Sequence, residues 1–263
     1  MIAAIPSREC ILITGAGGFV GRWLTAALRD RMSPDGRLAL LVRDAVDRAA
    51  TPNGVVCDLR DAASVERLIA EINPTAIVHL AAVSAVSAAD RDADIAWDVN
   101  VKGTLHLARA ALRHAPQARF IHISTGDVYG GGPGGDAAID ESAALKPRNM
   151  YSVTKAASDL LIGQMAGAGL KAVRFRPFNH TGPGQTIDFV VAAFAAQIAE
   201  IEYGLKAPVI DVGNLDAYRD FCDARDVVKA YAVAAIGDVD LAGRVMNLAS
   251  GTARRIGDVL DDL

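Results

Sequence analysis

The sequence predicts an α/β fold, a doubly wound parallel sheet with a smaller C-terminal lobe. Three observations carry that expectation. Hydrophobic residues make up 51% of the 263-residue chain and aromatics only 5%, so the core is built from Ala, Val, Leu and Ile, as where helices cover both faces of a parallel sheet. Residues 10–31 read as strand, glycine turn, helix. From there to residue 177, apolar runs of strand length alternate with stretches of helical apolar spacing.

Residues 10–14 (Cys-Ile-Leu-Ile-Thr) are a short apolar run ending at glycine, which suits a buried parallel strand. Gly15-Ala16-Gly17-Gly18-Phe19-Val20-Gly21 follows, then a helix over 22–31. The spacing of Gly15, Gly18 and Gly21 allows a tight turn, close approach of a pyrophosphate, and close packing of helix on strand. A helix N-terminus adds free N–H groups and a favourable dipole. A plain turn is the alternative. Residues 38–42 are the second strand, with Arg43 at its end. An acidic residue there would bind an adenosine ribose diol, whereas an arginine would accept a 2′-phosphate. Arg43 therefore favours NADP(H), while Asp44 next in line keeps NAD(H) open, and a surface arginine at a strand end is the plain alternative.

Residues 55–59 form the third strand, with Asp58 at its end, and 62–72 the next helix. Residues 75–80 are the fourth strand and run into Ala81-Ala82; His79 inside it reads as a hydrogen-bonded core histidine rather than a ligand. An amphipathic helix covers 100–111. Residues 119–124 are the fifth strand and deliver Ser124-Thr125-Gly126-Asp127, hydroxyls at the strand end where open α/β sheets bind ligands. A glycine-rich loop over 130–135 reads as mobile. A helix over 151–165 and a sixth strand over 171–177 complete the alternation. Beyond it come a long helix at 189–203, a short strand at 209–212, a helix at 225–236 packing back on the sheet, a strand at 244–248, and the start of a helix at 256. The expected division is 1–178, with 218–250 returning to it, and a lobe of 179–217 with 251–263.

Tyr151-Ser152-Val153-Thr154-Lys155 opens the helix over 151–165 and carries the candidate chemistry. Residues i and i+4 share a helix face, so the Tyr151 hydroxyl and Lys155 ammonium reach one site. A free phenol has a pKa of about 10, and a fixed cation nearby favours the phenolate. A Tyr and a Lys that merely stand four apart are the plain alternative. The net charge of −4 and the lack of a basic run argue against nucleic-acid binding. Cys10, Cys57 and Cys222 have no metal-ligand spacing and read as small apolar residues in a reducing compartment. No metal site, signal segment or membrane span is expected, and the reading is of a cytoplasmic protein.

Together the glycine turn, His79-Leu80-Ala81-Ala82, Asn100-Val101-Lys102-Gly103-Thr104 and Tyr151-Ser152-Val153-Thr154-Lys155 resemble the extended short-chain dehydrogenase/reductases (the NAD-dependent epimerase/dehydratase family), Rossmann enzymes that act on nucleotide sugars. Within that family, the stretch from Arg176 to Gln185, Val212-Gly213-Asn214-Leu215 and Arg219-Asp220-Phe221 look most like members acting on GDP sugars. The resemblance implies reduction of the C4 ketone of a GDP-4-keto-6-deoxyhexose with NAD(P)H, giving a GDP-6-deoxyhexose such as GDP-rhamnose. It also implies a homodimer paired through the helices near 100–111 and 151–165, and several dozen further residues beyond Leu263.

By position, the resemblance assigns Tyr151 as the acid–base group, Lys155 as the group that holds the nicotinamide ribose and perturbs Tyr151, and Thr125 as the hydroxyl on the sugar oxygen, with Ser124 as its alternative. It assigns Gly15, Gly18, Phe19, Val20 and Gly21 to the pyrophosphate turn, Asp58 and Leu59 to the adenine edge, and Arg43, Leu80, Ala81, Ala82, Asn100 and Pro177 to further cofactor contacts. Ser84, Ser124, Asn179, Val190, Asn214 and Arg219 fall to the sugar nucleotide. One departure matters. Related 4,6-dehydratases place a carboxylate base, normally Glu, after the threonine, and here stand Gly126 and the shorter Asp127. A misplacement of about 1 Å can cost about a hundredfold in rate, which disfavours dehydration. A 4-epimerase, a GDP-mannose 4,6-dehydratase and a non-catalytic NAD(P)-binding protein remain the rival readings.

Overall fold

The computed structural model describes residues 9–131 and 138–263. In chain order the elements begin β1 (Cys10–Thr14), α1 (Phe19–Arg29), β2 (Arg37–Val42), α2 (Ala45–Ala50), β3 (Val55–Val56), α3 (Ala62–Ile72) and β4 (Ala76–His79). Next come α4 (Val86–Arg91), α5 (Ala93–Trp97), a π-helical turn (Asp98–Gly103) and α6 (Thr104–His114). β5 (Arg119–Ile123), a 3₁₀ turn (Gly126–Tyr129), α7 (Met150–Gly167) and β6 (Ala172–Pro177) follow. The chain closes with β7 (Asn179–Thr181), α8 (Val190–Glu202), β8 (Tyr218–Asp223), α9 (Ala224–Ile236), β9 (Val245–Leu248), β10 (Ala253–Arg255) and α10 (Ile256–Asp261).

Seven strands form one parallel sheet in the order β3-β2-β1-β4-β5-β6-β9. The chain reverses its direction of build between β1 and β4, and the crevice at such a switch point is where open sheets bind ligands. Alternation along each strand feeds two cores. Leu12, Ile77 and Phe120 face α3, α6 and α7, while Ile11, Ile13, Val78 and Ile121 face α1 and α9. Burial on both faces is why these strands are unbroken apolar runs rather than alternating ones. A second, three-stranded sheet, β10-β8-β7, sits beside the first.

Several expectations shift. The third strand ends at Val56 instead of 59, because Asp58 turns the chain: its carboxylate accepts from the Arg60 N–H and its carbonyl from the Asp61 N–H. The strand expected at 209–212 is irregular. The Asp211 N–H and carbonyl are both bonded by the Gln197 side chain, which leaves that residue no ladder to join. The helix expected at 100–111 belongs to a longer run, 93–114, widened at Asn100 into the π turn. β7, β8 and β10, which build the small sheet, were not anticipated as strands. Of the glycine-rich loop at 130–135, Gly130 and Gly131 have φ of +78° and +91°; 132–137 lie outside the described residues.

Candidate active site

The glycine turn, the segment after β4 and the first turn of α7 converge at the carboxyl ends of the central strands. Gly15 has φ +68°, and a Cβ on it would lie 2.9 Å from the Ala81 nitrogen, so this turn packs backbone on backbone. Gly18 is the N-cap of α1, and no side chain caps that helix. The N–H groups of Phe19 and Val20 therefore have neither an intrahelical partner nor a cap, and they present an anion cradle. Phe19 stacks on His180 at 6.4 Å, and Arg22 bridges the carbonyls of Gly17 (2.8 Å) and Gly184 (3.0 Å). These features fit a dinucleotide pyrophosphate.

At the adenosine end, Arg43 is exposed and paired with Asp44 (2.8 Å) and Asp47 (3.6 Å). Asp58, half-buried, receives Arg60 (2.6 Å), and Leu59 is buried against Gly103. Pro177, buried, ends β6, while Leu80 and Ala82 flank Ala81 half-buried. Asn179 opens β7 and Val190 opens α8, both half-buried. Ser84, Asn214 and Arg219 are exposed; Asn214 is occupied in its own turn with the Asp216 N–H.

α7 starts where it does because Asn149 and Ser152 form a reciprocal capping box: the Ser152 N–H donates to Asn149 Oδ1 (2.8 Å), and the Asn149 N–H to Ser152 Oγ (3.2 Å). That box fixes the turn carrying Tyr151. Thr125 is buried and its hydroxyl faces the phenol, whereas Ser124 Oγ is sealed inside, on the side of the Asp159 carboxylate. Of the two hydroxyls, Thr125 is the one that meets Tyr151. Lys155 is 3% exposed, and burial draws it down to about 8 against the opposing charge of Asp159. Tyr151 departs from expectation. Burial, then the Asp127 charge, push the phenol above its ordinary range, and only the Thr125 hydroxyl opposes them. The expected pull of Lys155 toward phenolate is not among the influences on it. Asp127 opens to the cleft yet is enclosed enough for burial to raise its carboxyl, an effect that Arg219 counters.

A buried hydrogen-bond chain ties these parts together, and sequence reasoning missed it. The Ala81 N–H donates to Thr14 Oγ1 (3.1 Å), which meets His79 Nδ1 at 2.8 Å. His79 Nε2 meets Thr104 Oγ1 at 2.8 Å, and Thr104 donates to the Asn100 carbonyl (2.8 Å). Because Thr104 spends its proton on Asn100, His79 must carry its proton on Nε2 and accept from Thr14 at Nδ1. Burial, then the charge of Lys155, hold His79 neutral, its pKa down to about 3. It is the core histidine expected. The Asn100 side chain accepts from the Val83 N–H (2.8 Å) and donates to the Val83 carbonyl (3.2 Å) and to Thr154 (2.9 Å). Thr154 in turn donates to the Tyr151 carbonyl (2.8 Å). Among the described residues no His/Cys/Asp/Glu group could hold a metal. An open hollow of about 760 Å³ near Cys10, Arg37 and Thr75 lies at the opposite ends of the strands and includes none of these residues.

The chain matches the NAD dependent epimerase/dehydratase family over residues 11–249. It is 36% identical over 253 residues to the GDP-6-deoxy-D-mannose reductase of Pseudomonas aeruginosa, covering 95% of this chain and 78% of that protein. The structure of RMD from Pseudomonas aeruginosa complexed with NADPH superposes with a TM-score of 0.82 at 36% identity, over 96% of this chain and 80% of the other. The UDP-glucose 4-epimerase of Thermus thermophilus, in complex with NAD, gives 0.82 at 29% identity over 96% and 81%.

Proposed function

The chain belongs to the NAD dependent epimerase/dehydratase family, and from that membership we propose that it reduces the C4 ketone of a GDP-linked 4-keto-6-deoxyhexose with NADPH. The observation that carries this reading is the placement of the Tyr151 phenol beside the buried Thr125 hydroxyl and four residues before buried Lys155 on α7. Burial and the Asp127 charge favour the neutral phenol, the form a ketone reduction needs as acid. The bound nicotinamide supplies the hydride. Tyr151 gives its proton to the oxygen at C4, Thr125 donates a hydrogen bond to that oxygen, and Lys155 holds the cofactor ribose and offsets the charge left on Tyr151. The glycine turn with Phe19 and Val20 takes the pyrophosphate, and Arg43, Asp58 and Leu59 take the adenosine.

In this reading residues 179–217 and 251–263 form the sugar-nucleotide lobe, and β8, at the start of the returning segment 218–250, completes its small sheet; Asn179, Val190, Asn214 and Arg219 stand toward GDP. Exposed Trp97 on α5 and Leu160 on α7 (40% and 61% accessible) support a homodimer through these helices. No helix among the described residues is long and apolar enough to cross a membrane, in keeping with a cytosolic enzyme.

One observation favours a second reading, a 4,6-dehydratase: the raised carboxyl of Asp127 is nearer the range of a working base. The test separates the two. GDP-4-keto-6-deoxymannose with NADPH should consume one NADPH per product, and GDP-mannose with oxidised cofactor should stay unchanged. Formation of the 4-keto-6-deoxy sugar from GDP-mannose would make Asp127 the base and overturn the reductase reading.

A further inference from the structure

Beneath Lys155 lies a buried ionic cluster for which the catalytic assignment has no use. Asp159, one helical turn on, is fully buried. It accepts two parallel bonds from Arg176 (Nε to Oδ2 2.9 Å, Nη2 to Oδ1 3.0 Å) and a third from Arg174 (2.9 Å). Arg176 is buried as well, and its Nη1 reaches the Tyr129 hydroxyl (2.8 Å) and the Glu141 carbonyl (3.2 Å). Tyr129 donates onward to Asn247 Oδ1 (2.8 Å). The Asp159 carboxylate is thus fixed from β6, whose Arg176 is itself held by the turn after β5 and, through Tyr129, tied to β9. Burial works to protonate it, and the arginines outweigh that and keep it ionised.

Tyr151, Lys155 and Asp159 follow one another at intervals of four on α7, so a single stripe of the helix carries acid, cation and carboxylate. The charged and titratable groups that surround this stripe are few. His79 on β4 and His122 on β5 pair in register and are both held neutral by burial and by the Lys155 charge. Arg174 and Arg176 on β6 are cations, and Asp127 in the turn after β5 is set against Tyr151 and Arg219. Asp159 is the carboxylate whose charge acts on Lys155.

We propose that Asp159 is a positioning residue for the reaction: anchored by Arg176 and Arg174, it is the buried counter-charge that keeps Lys155 protonated and able to hold the cofactor ribose at neutral pH. The proposal rests on the reading of Lys155 as a cofactor-binding group. Without Asp159 three buried or half-buried cations would face one another, and Lys155, not bound in an ion pair within the described residues, is the one free to shed its proton. An arginine cannot do so. The alternative is that Asp159 merely neutralises the two arginines.

NADPH binding, followed by nucleotide fluorescence against pH, distinguishes these. In wild type, binding should weaken through an alkaline limb that is absent from Lys155→Met. In Asp159→Asn the limb should move down by about one pH unit or more, and Asp159→Glu, which keeps the charge, should restore it. If the Asn variant fails to fold, Asp159→Asn/Arg174→Gln, which strands one cation fewer, is measured in its place and should show the same downward move. A limb that stays at the wild-type position in the folded Asn variant, or that moves equally in the Glu variant, overturns the proposal. No sugar is present in this assay, so that result leaves the reductase reading standing. A wild type that binds no NADPH would overturn both.

Discussion

Asn100 is the joint on which two parts of the site hang, and its replacement by Ala gives a measurable expectation. The side chain is 1% exposed and makes three hydrogen bonds, two to the Val83 backbone and one to Thr154. Each neutral bond contributes about 1 kcal/mol net, so the three sum to about 3 kcal/mol. Val83 is half-buried and can recruit a water into the vacated space, whereas Thr154 is fully buried and cannot. Recovery of about one bond leaves a loss of about 2 kcal/mol. At roughly 2–4 °C per kcal/mol for a domain of this size, the melting temperature should fall by about 4–8 °C. Activity should fall further than stability implies. Asn100 fixes both the segment after β4, expected to lie against the cofactor, and, through Thr154, the turn that presents Tyr151. A shift of about 1 Å there costs about a hundredfold in kcat/KM. Urea unfolding and steady-state kinetics on the same preparation check both parts. A variant that loses under about 0.5 kcal/mol while keeping full activity would refute the reasoning that this side chain couples the two segments.

Three further outcomes are expected. Tyr151→Phe should abolish NADPH consumption while leaving NADPH affinity nearly unchanged, since it removes the proton and keeps the ring; calorimetric titration alongside turnover checks it. Asp127→Asn should leave ketone reduction within about tenfold of wild type, a loss of about 1.4 kcal/mol at most. The ultraviolet titration profile of the Tyr151 phenol, read against Tyr151→Phe, should also move in a set direction: the Asp127 charge raises Tyr151, so its removal lowers the phenol's pKa. A profile displaced upward would contradict that coupling. Arg43→Ala should narrow the ratio of kcat/KM for NADPH over NADH, and only modestly, because Asp44 and Asp47 already occupy the guanidinium; an unchanged ratio would make Arg43 a surface residue.

Features encoded within a few neighbouring residues were legible in the sequence. The glycine turn, the helix at 62–72 and the Tyr151–Lys155 pair could all be read, because turn sterics and helical spacing act over short distances. Features that depend on register were not. His79, His122 and Arg174 become neighbours only when β4, β5 and β6 align side by side, and no local pattern announces that row. The direction of the Tyr151 shift is not legible for a related reason: helical spacing shows the Lys155 charge but neither the enclosure of the phenol nor the approach of Asp127. Asp159 did leave a signal. It is a carboxylate on a helix of mostly small and apolar residues, eight after Tyr151, where a solvated position was not needed. The irregular course at 209–212 and the small sheet depend on side-chain capture and on distant strand pairing, which the Val-Ile-Asp-Val spelling does not encode.

The chain of bonds from Ala81 through Thr14, His79 and Thr104 to Asn100 has a direction. Every hydroxyl proton in it is already committed, and the imidazole keeps one tautomer because the groups on either side permit no other. Such an array conducts nothing: passing a proton along it would require each member to rotate and the terminal backbone amide to give up its hydrogen. His79 also refuses a second proton until about pH 3, so this row offers no proton path. In the proposed reduction, Tyr151 would regain its proton by a route other than this row, and the open side of the site, past Thr125 and exposed Asp127, is the one the structure offers.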